Sequence, residues 1–178
     1  MQYAAYRAIV ITCDTLEKRE RTLRKQILDT TKSGKPESEH RWLNVEALAR
    51  MEPSSEEPQH MIEAAMLPGG NGWKAASSGE QTLCMLFDDA QDLRTIRLVF
   101  KESLRPRTQE FLLSWSGDQG NTWRDIARQQ YNFSSPDSTL EVEEYKVDLH
   151  GVTGLSLSII PEISGGDAVA SLAEWRIA

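Results

Sequence analysis

Between Glu110 and Ile126 the chain reads EFLLSWSGDQGNTWRDI, and this stretch narrows the possible folds more than any other. Phe111, Leu113 and Trp115 alternate with Leu112, Ser114 and Ser116, the period-two pattern of a strand with two unlike faces. Asp118-Gln119-Gly120-Asn121 supplies turn chemistry, because Gly accepts positive φ and Asp and Asn bond their own backbone. Trp123 and Ile126 then resume the apolar pattern. The stretch predicts a β-hairpin with an aromatic on each arm, and hence a β core.

The same alternation recurs on both sides. Gln81 to Asp88 carries Leu83, Met85 and Phe87 on one face, and Asp88 to Asp92 reads as a turn. Thr95 to Lys101 carries Ile96, Leu98 and Phe100. Leu140 to Leu149 directs Tyr145, Val147 and Leu149 inward, and Leu155, Leu157 and Ile159 form the next inner face. Ser171 to Ile177 closes the chain with Ala173, Trp175 and Ile177. Ahead of these, Trp42 to Ala49 reads as an early strand or short helix, Pro53 to Pro58 as a loop, and Met61 to Met66 as one helical turn. About eight short strands spaced by roughly ten residues predict an antiparallel β-sandwich or jelly roll and not a βαβ fold. Trp73, Trp115, Trp123 and Trp175 are the expected large core rings.

The N-terminal part follows a different period. Tyr6, Ile9, Cys13, Leu16, Glu20, Leu23, Ile27 and Thr30 recur at alternating spacings of three and four, along one face of a helix. The spacing predicts a long N-terminal α-helix from about Gln2 to Lys32, within a segment 1–36 that Ser33-Gly34-Lys35-Pro36 ends. Residues 37–41 form a linker and 42–178 the β domain. A single apolar stripe needs a covering surface, either a second copy of the helix in a coiled-coil homodimer or the sandwich itself.

Charge and composition exclude several classes. The net charge is −7, with nine Lys+Arg against six Asp+Glu up to Arg41 and eleven against twenty-one beyond it. An acidic β domain repels phosphate backbones, which argues against nucleic acid as a partner. No apolar run reaches the ~20 residues of a membrane span. The first residues lack the pattern of a signal peptide, and Cys13 and Cys84 read as free thiols, so a cytoplasmic location is expected. His40, His60 and His150 lack ligand spacing, and no metal or other cofactor is expected. Leu67-Pro68-Gly69-Gly70-Asn71-Gly72 does not make a phosphate loop, because Trp73 stands before Lys74 and no Ser or Thr follows it. Ser116-Gly117 lies in a hairpin and not at a nucleophile elbow, and nothing selects a catalytic pair among the 27 acidic residues.

Ser54-Ser55, the Gly72 to Ala75 segment GWKA, the strand pair LCMLFDDAQDLRTIRLVF, the hairpin LLSWSGDQGNTW and the closing GLSLSIIPEISGGDAVASLAEWRI occur in the order and spacing of a known family. In these pieces the β domain resembles the discoidin or coagulation-factor type C family of the galactose-binding-like superfamily. The resemblance implies a jelly-roll sandwich that binds carbohydrate or lipid headgroups through loops at one end. Some members hold a structural calcium near the first loops; Leu67 to Gly72 has no Asp, so calcium is not carried over. The terminal disulfide of secreted members is absent.

Strand order leads to the same end of the molecule. In an up-and-down order every second connection falls at one end, which groups Glu102 to Gln109, Tyr131 to Thr139 and Glu162 to Val169. The remaining connections, Asp88 to Asp92, Asp118 to Asn121 and His150 to Thr153, are expected to be too short for a site. The first group contains Arg105, Arg107, Tyr131, Asn132, Phe133, Asp137, Glu162 and Asp167, whose guanidinium forks, carboxylates and rings suit sugar hydroxyls and pyranose faces. The same residues also have a purely structural reading, as loop ion pairs with Glu102 or Glu110 and as aromatic caps on the core. The expected function is that of a non-catalytic module binding carbohydrate or another small polar ligand. The alternative is an intracellular protein-interaction scaffold of the same fold.

Overall fold

The computed structural model describes residues 41–178, and the expected N-terminal helix and its dimer lie outside them. A 3-10 turn at Val45–Ala47 leads into β1 (Ala49–Pro53), and the short helix α1 (Glu63–Met66) precedes β2 (Trp73–Ser78). Then come β3 (Gln81–Lys101), β4 (Arg107–Ser116), β5 (Arg124–Phe133), β6 (Leu140–Ile160), β7 (Val169–Leu172) and β8 (Glu174–Ile177). The architecture is a mainly antiparallel β-sandwich.

Two long strands build both layers. The first part of β3, Gln81 to Leu86, pairs with Gly154 to Ile159 of β6, and its last part, Thr95 to Lys101, pairs with Leu140 to Lys146. β1 joins the first part of β3, and β4 then β5 continue that layer beyond β6. β8 joins the second part of β3. β2 and β7 form a separate two-stranded sheet.

Between the two parts of β3 the register to β6 shifts three times, from Leu86 to Thr95. Such irregularities let a strand bend from one sheet into the other. Asp88 to Asp92 and His150 to Thr153 are therefore strand residues at a corner, not turns. Their acids and glycine have the composition of a turn because a corner also needs exposed polar groups and a Gly at positive φ, here Gly151 at 66°. Another correction concerns Ser171 to Ile177, which divides between β7 and β8 as the chain passes from one sheet to the other at Ala173.

The alternating residues meet in one core. Leu83, Met85, Phe87, Ile96, Leu98, Phe100, Phe111, Leu113, Leu155, Leu157 and Ile159 are all buried. Phe100 stacks on Phe111 at 5.1 Å between centroids, and Tyr131 closes the cluster at 5.8 Å from Phe111. Burying each large apolar side chain contributes on the order of 1.5 to 3 kcal/mol.

Trp73 and Trp175 are core residues, but Trp115 is only partly buried and Trp123 is 38% exposed. Trp115 is paired in register with Arg124, so Trp123 precedes the strand and lies outside the layers. Its ring covers Gly120 and Gly154, where an added Cβ would lie 3.1 and 3.3 Å from it. The turn between these tryptophans is built on Asp118. Its Oδ1 accepts from the Ser116 hydroxyl (2.7 Å) and the Thr122 amide (2.9 Å), and Oδ2 accepts from the Thr122 hydroxyl (2.7 Å). Among the described residues no helix is long and apolar enough to cross a membrane.

Candidate functional site

Three connections meet at one end of the sandwich, because β3, β5 and β6 all finish there. The Glu102 amide donates to the Thr139 carbonyl at 2.9 Å, and the Ile163 amide to the Thr108 carbonyl at 2.9 Å. Arg105 Nη1 reaches Asp167 Oδ1 at 2.8 Å, an exposed pair that bridges two of the connections. This bond holds the Asp167 carboxyl below its ordinary value.

The anchor beneath these loops is Arg107, the first residue of β4. Its side chain is 4% exposed and its Nε lies 3.1 Å from Glu102 Oε2, whose side chain is 11% exposed. That contact is an ion pair and not an aligned hydrogen bond, since Nε lacks one. Nη1 donates to the Val169 carbonyl at 2.8 Å and Nη2 to Gln109 Oε1 at 3.2 Å. Burial lowers the Arg107 pKa and the Glu102 charge opposes that shift. Glu102 in turn accepts at Oε1 from the amides of Leu104 (2.7 Å) and Arg105 (3.4 Å). One carboxylate thus folds the 102–105 loop over itself, and the buried guanidinium ties it to β7.

The other residues expected to contact ligand divide between surface and framework. Tyr131, Asn132 and Phe133 lie in β5, not in a connection. Phe133 is 2% exposed, and the Arg107 guanidinium carbon lies 5.9 Å from its ring centroid. Tyr131 is partly buried in the aromatic cluster, and burial, then the nearby Glu143 carboxylate, raises its phenol well above the ordinary value. Asn132 is exposed, with its Oδ1 accepting from the Thr108 hydroxyl at 2.8 Å. Asp137 is exposed on the turn closed by Ser134 and Ser138. Glu162 accepts from the amide and hydroxyl of Ser164 and from the Thr108 amide, and the Ser164 bonds are the main cause of its lowered pKa.

The concave surface at this end is a hollow of about 340 Å³. Its polar wall includes His60, Asn71, Lys74, Lys101, Glu102, Ser103 and Ser171, and its apolar wall includes Trp73, Leu104 and Leu172. Leu104 is 90% exposed. Lys74 pairs with Glu57 at 2.9 Å, whereas no carboxylate among the described residues pairs with Lys101. Trp73 is fixed by a bond from its Nε1 to the Ser55 carbonyl at 3.2 Å, and Asn71 by one from Nδ2 to the Gln59 carbonyl at 2.8 Å. None of Arg105, Arg107, Tyr131, Asn132, Phe133, Asp137 and Asp167 lines this hollow. Arg105 is next in sequence to Leu104, and Asp167 lies two residues before Val169, both of which line it.

The sequence did carry one signal for the hollow, the Gly69 to Gly72 cluster that delivers Asn71 and Trp73. Gly72 has φ +72°, and a Cβ there would lie 2.7 Å from the Leu172 carbonyl oxygen, so the backbone needs a glycine at this approach. The opposite end also has a hollow of about 340 Å³, lined by Trp115, Gly117, Asp118, Thr122, Arg124, His150 and Gly151. The connections expected to be too short to build a site thus border a hollow of the same volume as the first. Among the described residues no group of three or more His, Cys, Asp or Glu is placed to hold a metal ion.

Comparison with solved structures places this architecture. A family 32 carbohydrate-binding module of C. perfringens NanJ, in complex with galactose, superposes with a TM-score of 0.56 at 12% identity, covering 76% of this chain and 96% of that one. The fold is the antiparallel β-sandwich of that module. A second Clostridium perfringens module of family 32, in complex with GalNAc-beta-1,3-galactose, gives a TM-score of 0.56 at 16% identity over 76% and 98% of the two chains. The family 32 module of AlyQ, in complex with 4,5-unsaturated mannuronic acid, gives 0.54 at 17% over 74% and 95%. No family model matches the sequence, and no curated protein matches it.

Proposed function

We propose that the protein is a non-catalytic carbohydrate-binding module that seats a saccharide in the hollow between His60, Asn71 and the Lys101 to Leu104 loop. The observation that carries this reading is the hollow itself, whose volume is within the range of small-molecule sites. It sets Leu104 among polar groups at the loop end of a fold shared with modules described in complex with sugars. Sugar hydroxyls need donors and acceptors at fixed positions, and the apolar face of a pyranose needs a hydrophobic surface. His60, Asn71, Lys101 and Ser103 offer the former and Leu104 the latter. Arg105 and Asp167 extend the polar rim toward a second sugar unit, while Arg107 and Phe133 hold the loop in place beneath it.

A glycan array probed with the full chain, followed by calorimetric titration of the best binder, tests this. Lys101→Ala and Leu104→Ala are each expected to weaken binding about tenfold, the loss of one charge-assisted bond or one apolar contact, while leaving thermal stability near that of the parent. Binding unchanged in both variants would place the ligand elsewhere. A module that binds no glycan would overturn the reading in favour of the protein-interaction scaffold.

A further inference from the structure

The hollow at the opposite end is formed independently of the first. Trp115 near the end of β4 and Arg124 at the start of β5 are paired across the hairpin, and the Arg124 guanidinium carbon lies 5.2 Å from the Trp115 ring centroid. Stacking on an indole holds a guanidinium plane in place without using its N–H donors. Those donors have no carboxylate partner among the described residues, and Arg124 is exposed.

The nearby acids are already occupied. Asp118 takes three bonds from its own turn, and these hold its pKa at about 2. Asp92 lies 3.0 Å from His150 Nδ1, and Asp148 pairs with Arg94 and with His150 Nε2. Asp125, the neighbour of Arg124, accepts from the Ser114 hydroxyl. Consecutive strand residues face opposite ways, so this acid does not lie on the Trp115 side. Arg124 is thus the lining cation left without a carboxylate partner, while the Asp118 charge is met by neutral donors of its own turn. A cross-strand pair alone accounts for the stacking, but not for the cavity of about 340 Å³ that the fork borders.

We propose that this hollow is a second ligand site, for a carboxylate attached to a hydroxylated ring, as in a uronic acid. The planar carboxylate matches the fork of Arg124 in a bidentate contact. The ring hydroxyls then meet Thr122 and the open acceptor position of Asp118. Gly117 and Gly151 keep the floor free of side chains. The proposal does not depend on the reading of the first hollow, and two sites at opposite ends would let one module join two saccharide chains.

The test is a titration of the isotopically labelled full chain with glucuronate, glucose and acetate, followed by amide and indole resonances. Saturable shifts are expected at Trp115, Gly117 and Gly151 with glucuronate. Glucose and acetate should each bind at least about tenfold more weakly, because each offers only half of the contacts. Arg124→Met should weaken glucuronate about tenfold or more, and Arg124→Lys, which keeps the charge but not the fork, should fall between. No saturable shift at Gly117 and Gly151, or equal affinity in Arg124→Met, would overturn the proposal. Equal affinity for acetate would remove the sugar from it. Shifts confined to Ser103 and Leu104 would leave the first hollow standing and this one refuted.

Discussion

Replacing Arg107 with Met is expected to unfold the protein at distinctly lower urea, although a single loop charge would ordinarily be dispensable. The substitution keeps much of the aliphatic volume but removes the partner of Glu102, whose side chain is 11% exposed. Leaving one member of a buried pair alone costs about 3 to 5 kcal/mol. Glu102 retains its bonds from the Leu104 and Arg105 amides, so the lower figure applies. Loss of the bond to the Val169 carbonyl adds to it. With a urea slope of about 2 kcal/mol/M, about 3 kcal/mol moves the midpoint down by about 1.5 M. Urea titration at neutral pH, read by the fluorescence of buried Trp73 and Trp175, measures this. Adding Glu102→Gln to Arg107→Met should recover about half of the loss, because the uncompensated charge is what costs most. A midpoint shift below about 0.3 M in the single variant, or a further loss in the double one, would refute the argument that this pair anchors the loop.

Gly72→Ala should destabilise by more than about 1 kcal/mol, seen as a lower melting temperature, because φ is +72° and the new Cβ would lie 2.7 Å from the Leu172 carbonyl oxygen. Phe111→Ala should cost about 3 to 5 kcal/mol in chemical denaturation, since the ring is 1% exposed and stacked on Phe100. The Asp118 turn gives a pH signature. Its carboxylate is held at about 2 against an ordinary 3.8, so its contribution is complete above pH 3.8 and disappears as pH falls through about 2. The melting-temperature gap between the parent and Asp118→Asn should therefore narrow over that window, and a constant gap would show that the charge is irrelevant to the turn.

Which parts were legible follows from how many surroundings each residue has. β4 and the two parts of β3 bury one face along most of their length, so Phe111, Leu113, Leu83, Met85, Ile96 and Leu98 stand out by period alone. β5 does not, because it lies at the sheet edge with Arg128, Gln129 and Gln130 exposed, so only its start reads as an arm of the hairpin, through Trp123 and Ile126. The corner at Asp88 to Asp92 has the composition of a turn because a bulged bend and a true turn need the same residues. They differ only in whether the ladder continues, which local composition does not encode. The clustering of the three connections could be reasoned from strand order. The hollow could not, since His60, Asn71, Lys101 and Ser171 come from four separate parts of the chain.

Arg107 makes the same point from the side of energetics. In sequence it is one of two arginines flanking a proline, indistinguishable from Arg105 and equally suited to a ligand. The register of β4 against β5 places Arg107 opposite Phe133, and this turns its side chain inward, while Arg105 remains outside the strand and meets exposed Asp167. Two residues in sequence thus separate a framework charge from a rim charge. The framework one finds Glu102 five residues upstream, and that acid folds the very loop that lifts Leu104 into solvent. Sugar affinity at this end should then respond to Arg107 through the position of Leu104 and not through contact. At temperatures where it remains folded, Arg107→Met should lose affinity about as far as Leu104→Ala does. The pair should also be non-additive, the double variant binding no more weakly than either single one.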